Sequence, residues 1–348
     1  VLERTAVGDT YYVYNNLGQL RFVLSPEYKN NSANNTIYSY EYRYDNMGRL
    51  IEKILPGSIN MGISIKYWYD KADRIAFMQD AALEGKYRFY LYDRFGRLCV
   101  QGTCSNVNTS TDKLSTTTFS AGSDGICKTG YSIPYTISSP QLEIVNYYDK
   151  YDFKDKQKNV MPAVTITEEQ KQYSIGFLTG SVVYTSNGQA LGSVSVYDQK
   201  GQVVRSLRKG LDNFVEDVST VYTFTGAVAN AEAKVNVKYG SSFIAKTCYE
   251  YAYGKKKNMS LSVSHGNSAL TRTTDYDYNF TGKLSRKDRQ IGRSKSSCSY
   301  TYDIHGWLTS ISSGGFTEQL YYADGLNGGY YNGNISTIKW KAANDNSY

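Results

Sequence analysis

The sequence predicts an all-β fold of repeated antiparallel β-hairpins forming a long curved or spiralling sheet, and three observations lead there. The first is the stretch Tyr40–Leu50, Tyr-Glu-Tyr-Arg-Tyr-Asp-Asn-Met-Gly-Arg-Leu. With Tyr38 added, Tyr38, Tyr40, Tyr42 and Tyr44 share one face of an extended strand, while Ser39, Glu41 and Arg43 point the other way. Asp45 can bond the following amides and open a turn, Gly48 can supply the positive φ that closes it, and Leu50 starts the return strand. The second observation is that this unit recurs along the chain, and the third is composition. There are 35 Tyr and 30 Gly but only 5 Pro in 348 residues; abundant aromatics favour strands and argue against disorder.

The copies run in order. Tyr14-Asn15 is followed by Gly18 and Leu20, Tyr44-Asp45 by Gly48 and Leu50, Tyr69-Asp70 by Asp73 and Ile75, and Tyr92-Asp93 by Gly96 and Leu98. Later come Tyr197-Asp198 with Gly201 and Val203, Tyr222-Thr223 with Gly226 and Val228, Tyr278-Asn279 with Gly282 and Leu284, and Tyr302-Asp303 with Gly306 and Leu308. Two copies are degenerate: at Tyr148-Asp149 the glycine position holds Asp152, and at Tyr253-Gly254 it holds Lys257. Asp tolerates the left-handed region and Lys does so poorly, so the turn near Tyr253 is expected to be longer or differently built. Tyr44 and Tyr69 lie 25 residues apart and Tyr69 and Tyr92 lie 23 apart, a period that fits two strands and two turns.

Taken in order, residues 1–100 carry four hairpin units, the first two joined by the Asn-rich link from Asn30 to Asn35. Residues 101–140 break the period with a Ser/Thr/Gly-rich stretch, expected as a long surface insertion. The 56 residues between Tyr92 and Tyr148 imply a repeat that is expanded or lost. Residues 141–348 return to hairpins, degenerate at first and then regular, continuous with the first segment and without an independent catalytic domain. Thr165–Gln172 is the only plausible helical turn, with Thr167 as its cap. Ile335–Lys341 reads as a last strand, with fraying expected from Ala342 onward.

Charge and motifs exclude more than they offer. The 39 basic and 32 acidic residues are interspersed, for a net +7. The basic clusters, Lys255–Lys257 and Arg286-Lys287-Asp288-Arg289 with Arg293 and Lys295, read as solvated turn residues rather than a specific nucleic-acid surface. No stretch approaches about 18 apolar residues, so no helical membrane span is predicted. The chain opens at Val1 without a start methionine, and the expectation is a piece of something longer.

Cys99, Cys104, Cys127, Cys248 and Cys298 form no Cys-x-x-Cys pair; Cys104 and Cys127, which bracket the Ser/Thr-rich stretch, are either bridged or separate inert thiols. Two histidines, His265 and His305, give little material for a nucleophile triad or a histidine metal site. Gly240–Thr247 has Ala245 where a phosphate loop needs glycine, and Asp275-x-Asp277-x-Asn279 lacks the glycine and bidentate glutamate of a calcium loop. The turn aspartates each have a structural task, so pairing any two as acid and base is arbitrary. No catalytic residue, metal or cofactor is predicted.

Tyr-Asp-x-x-Gly-Arg-Leu, whole at Tyr44–Leu50 and Tyr92–Leu98, resembles the signature of the rearrangement-hotspot (RHS) or YD-repeat family. Val145-Asn146-Tyr147-Tyr148-Asp149 with Tyr151-Asp152-Phe153, Gly176–Gly180, Tyr302–Ile311 and Tyr331–Ser336 with Trp340 resemble blocks of its large secreted bacterial members. The resemblance covers nearly the whole chain. It implies a strip of sheet wound into a hollow shell that encloses a toxic C-terminal domain, in a secreted or cell-surface bacterial protein. The partners it implies are the rest of a parent chain and that enclosed domain. No toxin segment, self-cleavage region or secretion adaptor is recognisable here. The alternative is a cell-surface adhesin or carbohydrate-binding repeat module, with glycan as partner. Under either reading, cut sheet edges are expected to self-associate.

Overall fold

The computed structural model describes residues 2–5, 8–30, 35–57, 64–109, 114–236, 242–326 and 328–342. The Asn-rich link and the C-terminal segment expected to fray lie, apart from Asn30, Asn35 and Ala342, outside the described residues. Twenty-three of the strands join antiparallel ladders, and two short ones, Asn106–Val107 and Ile137–Ser138, pair separately. Among the described residues helix is confined to brief turns, of which Glu168–Tyr173 is the longest. Its Thr167 hydroxyl accepts from Gln170 N while the Gln170 side chain accepts from Thr167 N, the reciprocal cap expected at that threonine. A second short helix, Glu27–Asn30, follows the first hairpin and gave no sequence signal.

The chain divides into two compact units, Val1–Val194 and Ser195–Tyr348, a boundary that falls inside the segment 141–348 expected to run as one. In the first unit each strand pairs with its neighbour in sequence, from Leu2–Thr5 through Gly8–Tyr14, Leu20–Leu24, Ser39–Tyr44, Leu50–Ile54, Ser64–Tyr69, Ile75–Gln79 and Tyr87–Tyr92 to Leu98–Cys104. Leu98–Cys104 then pairs with Gln141–Tyr148, so residues 105–140 expand one connection and no repeat is lost.

That connection is not the surface insertion its composition suggests. Ile126, Tyr131, Ser115, Thr117 and Thr129 are buried, and Ile126 and Tyr131 join Phe77, Phe89, Leu91, Val100, Val145, Val182 and Val194 of the sheet in one core. The two threonines are satisfied locally, the Thr129 hydroxyl donating to Ile126 O (2.8 Å) and the Thr117 hydroxyl to Ser132 O (2.6 Å), while the Ser115 hydroxyl has no hydrogen-bond partner among the described residues. A second long connection, residues 149–177, lies against the same core. Tyr147 is stacked between Tyr131 of the first connection (5.4 Å between ring centres) and Phe153 of the second (4.4 Å). These two segments are the second layer that a one-faced sheet requires. Close approach explains two glycines: a Cβ at Gly180 would fall 2.3 Å from the Phe153 ring, and one at Gly192 would fall 2.4 Å from Val160 O.

The second unit has no such cover. Val203–Lys209, Val215–Tyr222, Val228–Asn236, Ser242–Ala252, Lys255–His265, Ser268–Tyr278, Leu284–Ile291, Ser294–Tyr302, Leu308–Ser313, Phe316–Tyr321 and Thr337–Ala342 pair in sequence order. Among the described residues only Val196, Tyr197, Leu207, Val235, Thr274 and Tyr322 are buried there. Cohesion in this unit comes from ladders and cross-strand pairs rather than a core.

Candidate functional site: the row of turns at one sheet edge

Because the strands alternate in direction, all the Tyr-Asp turns of a unit emerge at one edge of its sheet, and they share one construction. At Asp45 the backbone N donates to Arg49 O and Gly48 N donates to Asp45 O, both 3.0 Å, with Gly48 at φ +83°. Asp45 Oδ1 accepts from Met47 N and Arg49 N, both 2.9 Å. Asn15 holds Leu17 N and Gln19 N in the same way, Asp70 holds Ala72 N and Arg74 N, Asp93 holds Phe95 N and Arg97 N, and Asp198 holds Lys200 N and Gln202 N. Asn279 and Asp303 accept from Lys283 N and Trp307 N, and Thr223 does the same for Ala227 N through its hydroxyl. Asp73 adopts φ +58° where other copies have glycine, as expected of an aspartate. Gly18, Gly96, Gly201, Gly226, Gly282 and Gly306 are all left-handed.

Eight tyrosines of the row have a second task that the motif does not reveal. Beside each turn the ladder skips one residue: Arg43 faces Glu52 but Tyr44 faces Leu50. The bulge turns the first carbonyl of the return strand toward the next hairpin. There the next tyrosine takes it. Tyr44 Oη donates to Leu20 O (2.8 Å), Tyr69 to Leu50 O (2.7 Å), Tyr92 to Ile75 O (2.9 Å) and Tyr148 to Leu98 O (3.1 Å). In the second unit Tyr222 donates to Val203 O, Tyr251 to Val228 O and Tyr302 to Leu284 O, each 2.9 Å, and Tyr322 to Leu308 O (2.8 Å). Burial and the neighbouring Tyr90 push the Tyr92 hydroxyl up to about 12, so it remains a donor at all ordinary pH.

The residue after the glycine completes the link. Arg49 bonds its own Asp45, reaches Asp73 of the next turn (2.6 Å) and lies over the Tyr69 ring (4.9 Å). Arg74 lies over Tyr92 (4.8 Å) and Arg97 over Tyr148 (4.4 Å). In the second unit lysines take over: Lys255 Nζ donates to Gly282 O (2.6 Å) and lies over Tyr278, and Lys283 Nζ donates to Gly306 O and lies over Tyr302.

Two turns differ from their sequence reading. At the degenerate copy near Tyr253 the turn is shorter, not longer: Tyr253 (φ +52°) and Gly254 (φ +75°) alone join Ala252 to Lys255. The latching tyrosine is Tyr251, and Tyr253 stands in solvent. At Tyr148-Asp149 the glycine equivalent is not Asp152, which opens a short 3-10 turn, but Gly176. Asp149 N donates to Phe177 O, Gly176 N donates to Asp149 Oδ1 (2.7 Å), and Tyr148 faces Leu178. Residues 150–175 are thus inserted inside one turn. A further turn of the same build at Thr185–Gly188, absent from the sequence reading, lies at the opposite edge.

The row contains a cleft of about 430 Å³ bordered by Asp93, Arg97, Cys99, Tyr131, Tyr148 and Asp149. Three of its charges are paired with one another: Arg97 donates to Asp93 (2.6 Å) and to both oxygens of Asp149 (3.0 and 2.6 Å). These bonds to Arg97 hold the Asp149 carboxyl below its ordinary value. Burial pushes the Cys99 thiol up to about 11, far from a nucleophile's range. Asp70 is the most enclosed carboxylate, accepting from Arg74 Nη2 (2.7 Å) and from Ser115 N of the long connection (3.0 Å). Burial pulls Asp70 up, but Arg74 and the amides of Ser115, Arg74 and Ala72 outweigh it and hold it below the usual aspartate value.

Asp275 and Asp277 are exposed on a strand that half-buries Tyr276 and Tyr278. His265 Nδ1 lies 2.8 Å from Ser242 O, and His305 stacks on Trp307. All five cysteines are free, Cys104 buried and Cys127 exposed. Among the described residues no three His, Cys, Asp or Glu side chains are placed to hold a metal, and no helix is long and apolar enough to cross a membrane.

No family model and no curated protein matches the chain. Among solved structures it is similar to a porin-like protein from Bacteroides uniformis at 9% identity and a TM-score of 0.27, over 74% of this chain and 90% of that one.

Proposed function

We propose that the chain is a structural wall segment of an exported bacterial RHS/YD-repeat protein, a shell that encloses or presents an effector domain outside these residues, and that it carries out no catalysis itself. The observation that supports this most is the latch between successive hairpins. Tyrosine hydroxyls and the arginines or lysines after the glycine are spent on joining one hairpin to the next, and the turn carboxylates on holding their own turns. A wall needs that economy, whereas an enzyme needs convergent groups left unpaired in a cleft. The carbohydrate-binding alternative has less to draw on at Tyr69, Tyr92, Tyr148 and Tyr302, because each ring is covered by the preceding hairpin's cation and each hydroxyl is occupied.

The test is expression of the gene with its native downstream sequence, followed by limited proteolysis. A shell protects the downstream segment until the wall is unfolded. Immediate digestion of that segment, together with specific retention of the chain on a glycan array, would favour the adhesin.

A further inference from the structure

The turns of the second unit present an unusual row of side chains at their tips. Phe224 is 93% exposed, Tyr253 103%, Phe280 101% and Ile304 98%. They sit on four consecutive turns of one edge, each about 10 Å from the next, two strands at about 4.8 Å per strand. Among the described residues the opposite edge of the same unit turns through Gly266-Asn267, Gly292-Arg293 and Gly314-Gly315, which carry no large apolar tip, and through Leu211–Asn213, where Leu211 is only 42% exposed.

Both phenylalanine-bearing turns of this unit replace the usual aspartate by a neutral residue, Thr223 and Asn279, so acid remains at this edge in the turns of Asp198 and Asp303 but not beside Phe224 or Phe280. Behind three of the tips lies an ammonium group from the preceding hairpin: Lys200 Nζ on Phe224 O (3.3 Å), Lys255 Nζ on Gly282 O and Lys283 Nζ on Gly306 O.

We propose that this edge docks the protein onto the surface of an anionic lipid bilayer, with Phe224, Tyr253, Phe280 and Ile304 inserted below the headgroups and Lys200, Lys255 and Lys283 at phosphate level. Separate protruding side chains, with Thr225, Thr281 and His305 between them, make no continuous apolar face for a rigid protein partner. A fluid interface accepts each tip individually and places the phosphates beside the lysines. The proposal does not depend on the shell reading.

Flotation with phosphatidylcholine–phosphatidylglycerol vesicles (3:1) and with pure phosphatidylcholine vesicles tests it on the whole chain. The wild type is expected to float with the anionic vesicles, more weakly with neutral ones, and to lose part of the anionic binding at high salt. The Phe224→Ser, Phe280→Ser, Ile304→Ser triple variant, whose thermal unfolding should match the wild type because the tips are not packed into the fold, is expected to lose more than about tenfold in partition. A wild type that stays with the unbound fraction, or a triple variant that floats equally well, overturns the proposal. So does concentration-dependent self-association that the triple variant abolishes while vesicles bind neither protein; that result makes the edge an interface between copies.

Discussion

Removing the Asp70 carboxylate should be among the most damaging single changes in the first unit. Its side chain is fully enclosed and Arg74 nearly so, at 0% and 18% exposure. One oxygen holds the turn through Ala72 N and Arg74 N, and the other holds Arg74 and Ser115 N, so the group fastens a turn and the long connection together. Asp70→Ala leaves the Arg74 charge and three amides without their acceptor. Breaking an enclosed pair from one side costs about 3–5 kcal/mol. Asp70→Asn keeps the turn bonds but turns a donor toward Arg74, at about 1.5–3 kcal/mol.

Urea unfolding followed by tyrosine and tryptophan fluorescence reads both. With a slope of about 2–3 kcal/mol per molar urea, Asp70→Ala moves the midpoint down by roughly 1–2 M at pH 7. The Asp70 pKa is depressed by folding, so its stabilisation is complete above the unfolded value near 4 and fades as pH falls through the folded value. The gap between wild type and variant therefore closes only below about pH 4. A gap under about 0.5 kcal/mol at pH 7, or one unchanged from pH 7 to pH 3, would refute the reasoning.

The latches predict a sharp contrast in the second unit. Tyr251→Phe and Tyr222→Phe should each cost about 1 kcal/mol by equilibrium unfolding, whereas Tyr253→Phe should stay within about 0.5 kcal/mol; equal losses at Tyr251 and Tyr253 would show the latch misassigned. Gly180→Ala drives a methyl into the Phe153 ring and should lower stability by about 1–3 kcal/mol, with Phe153→Leu in the same chain restoring part of the loss. Cys99 and Cys104, both pushed up to about 11 by burial, should resist a thiol reagent in the native state, while Cys127 and Cys248 at the surface react; native labelling of all five at one rate would contradict the packing around them.

The turns were legible in the sequence because their chemistry is local. An Asp or Asn oxygen reaches amides two and four residues ahead, and a glycine three residues on supplies the left-handed φ, so Tyr44–Leu50 announces its own geometry. The latches were not legible, because each joins residues about 14–24 positions apart, apart from the 50 that separate Tyr148 from Leu98, through a bulge that only the assembled ladder defines. Tyr249, Tyr251 and Tyr253 alternate identically in sequence, and only the placement of a two-residue turn decides which of them latches. The Tyr148 turn was hidden by the residues inserted between Asp149 and Gly176. The first long connection misled in another way. Its Ser and Thr content reads as surface, but its backbone and hydroxyls bond one another, and Ile126 and Tyr131 suffice to anchor it over the sheet.

The most direct test of the wall reading is a cryo-EM structure of the full gene product. The account predicts that Tyr44, Tyr69, Tyr222 and Tyr302 lie within a continuous wall, hydroxyls on the preceding hairpin's carbonyls, with separate polypeptide density on the enclosed side. Density showing these residues as free-standing modules with open aromatic grooves, and nothing enclosed, would contradict it.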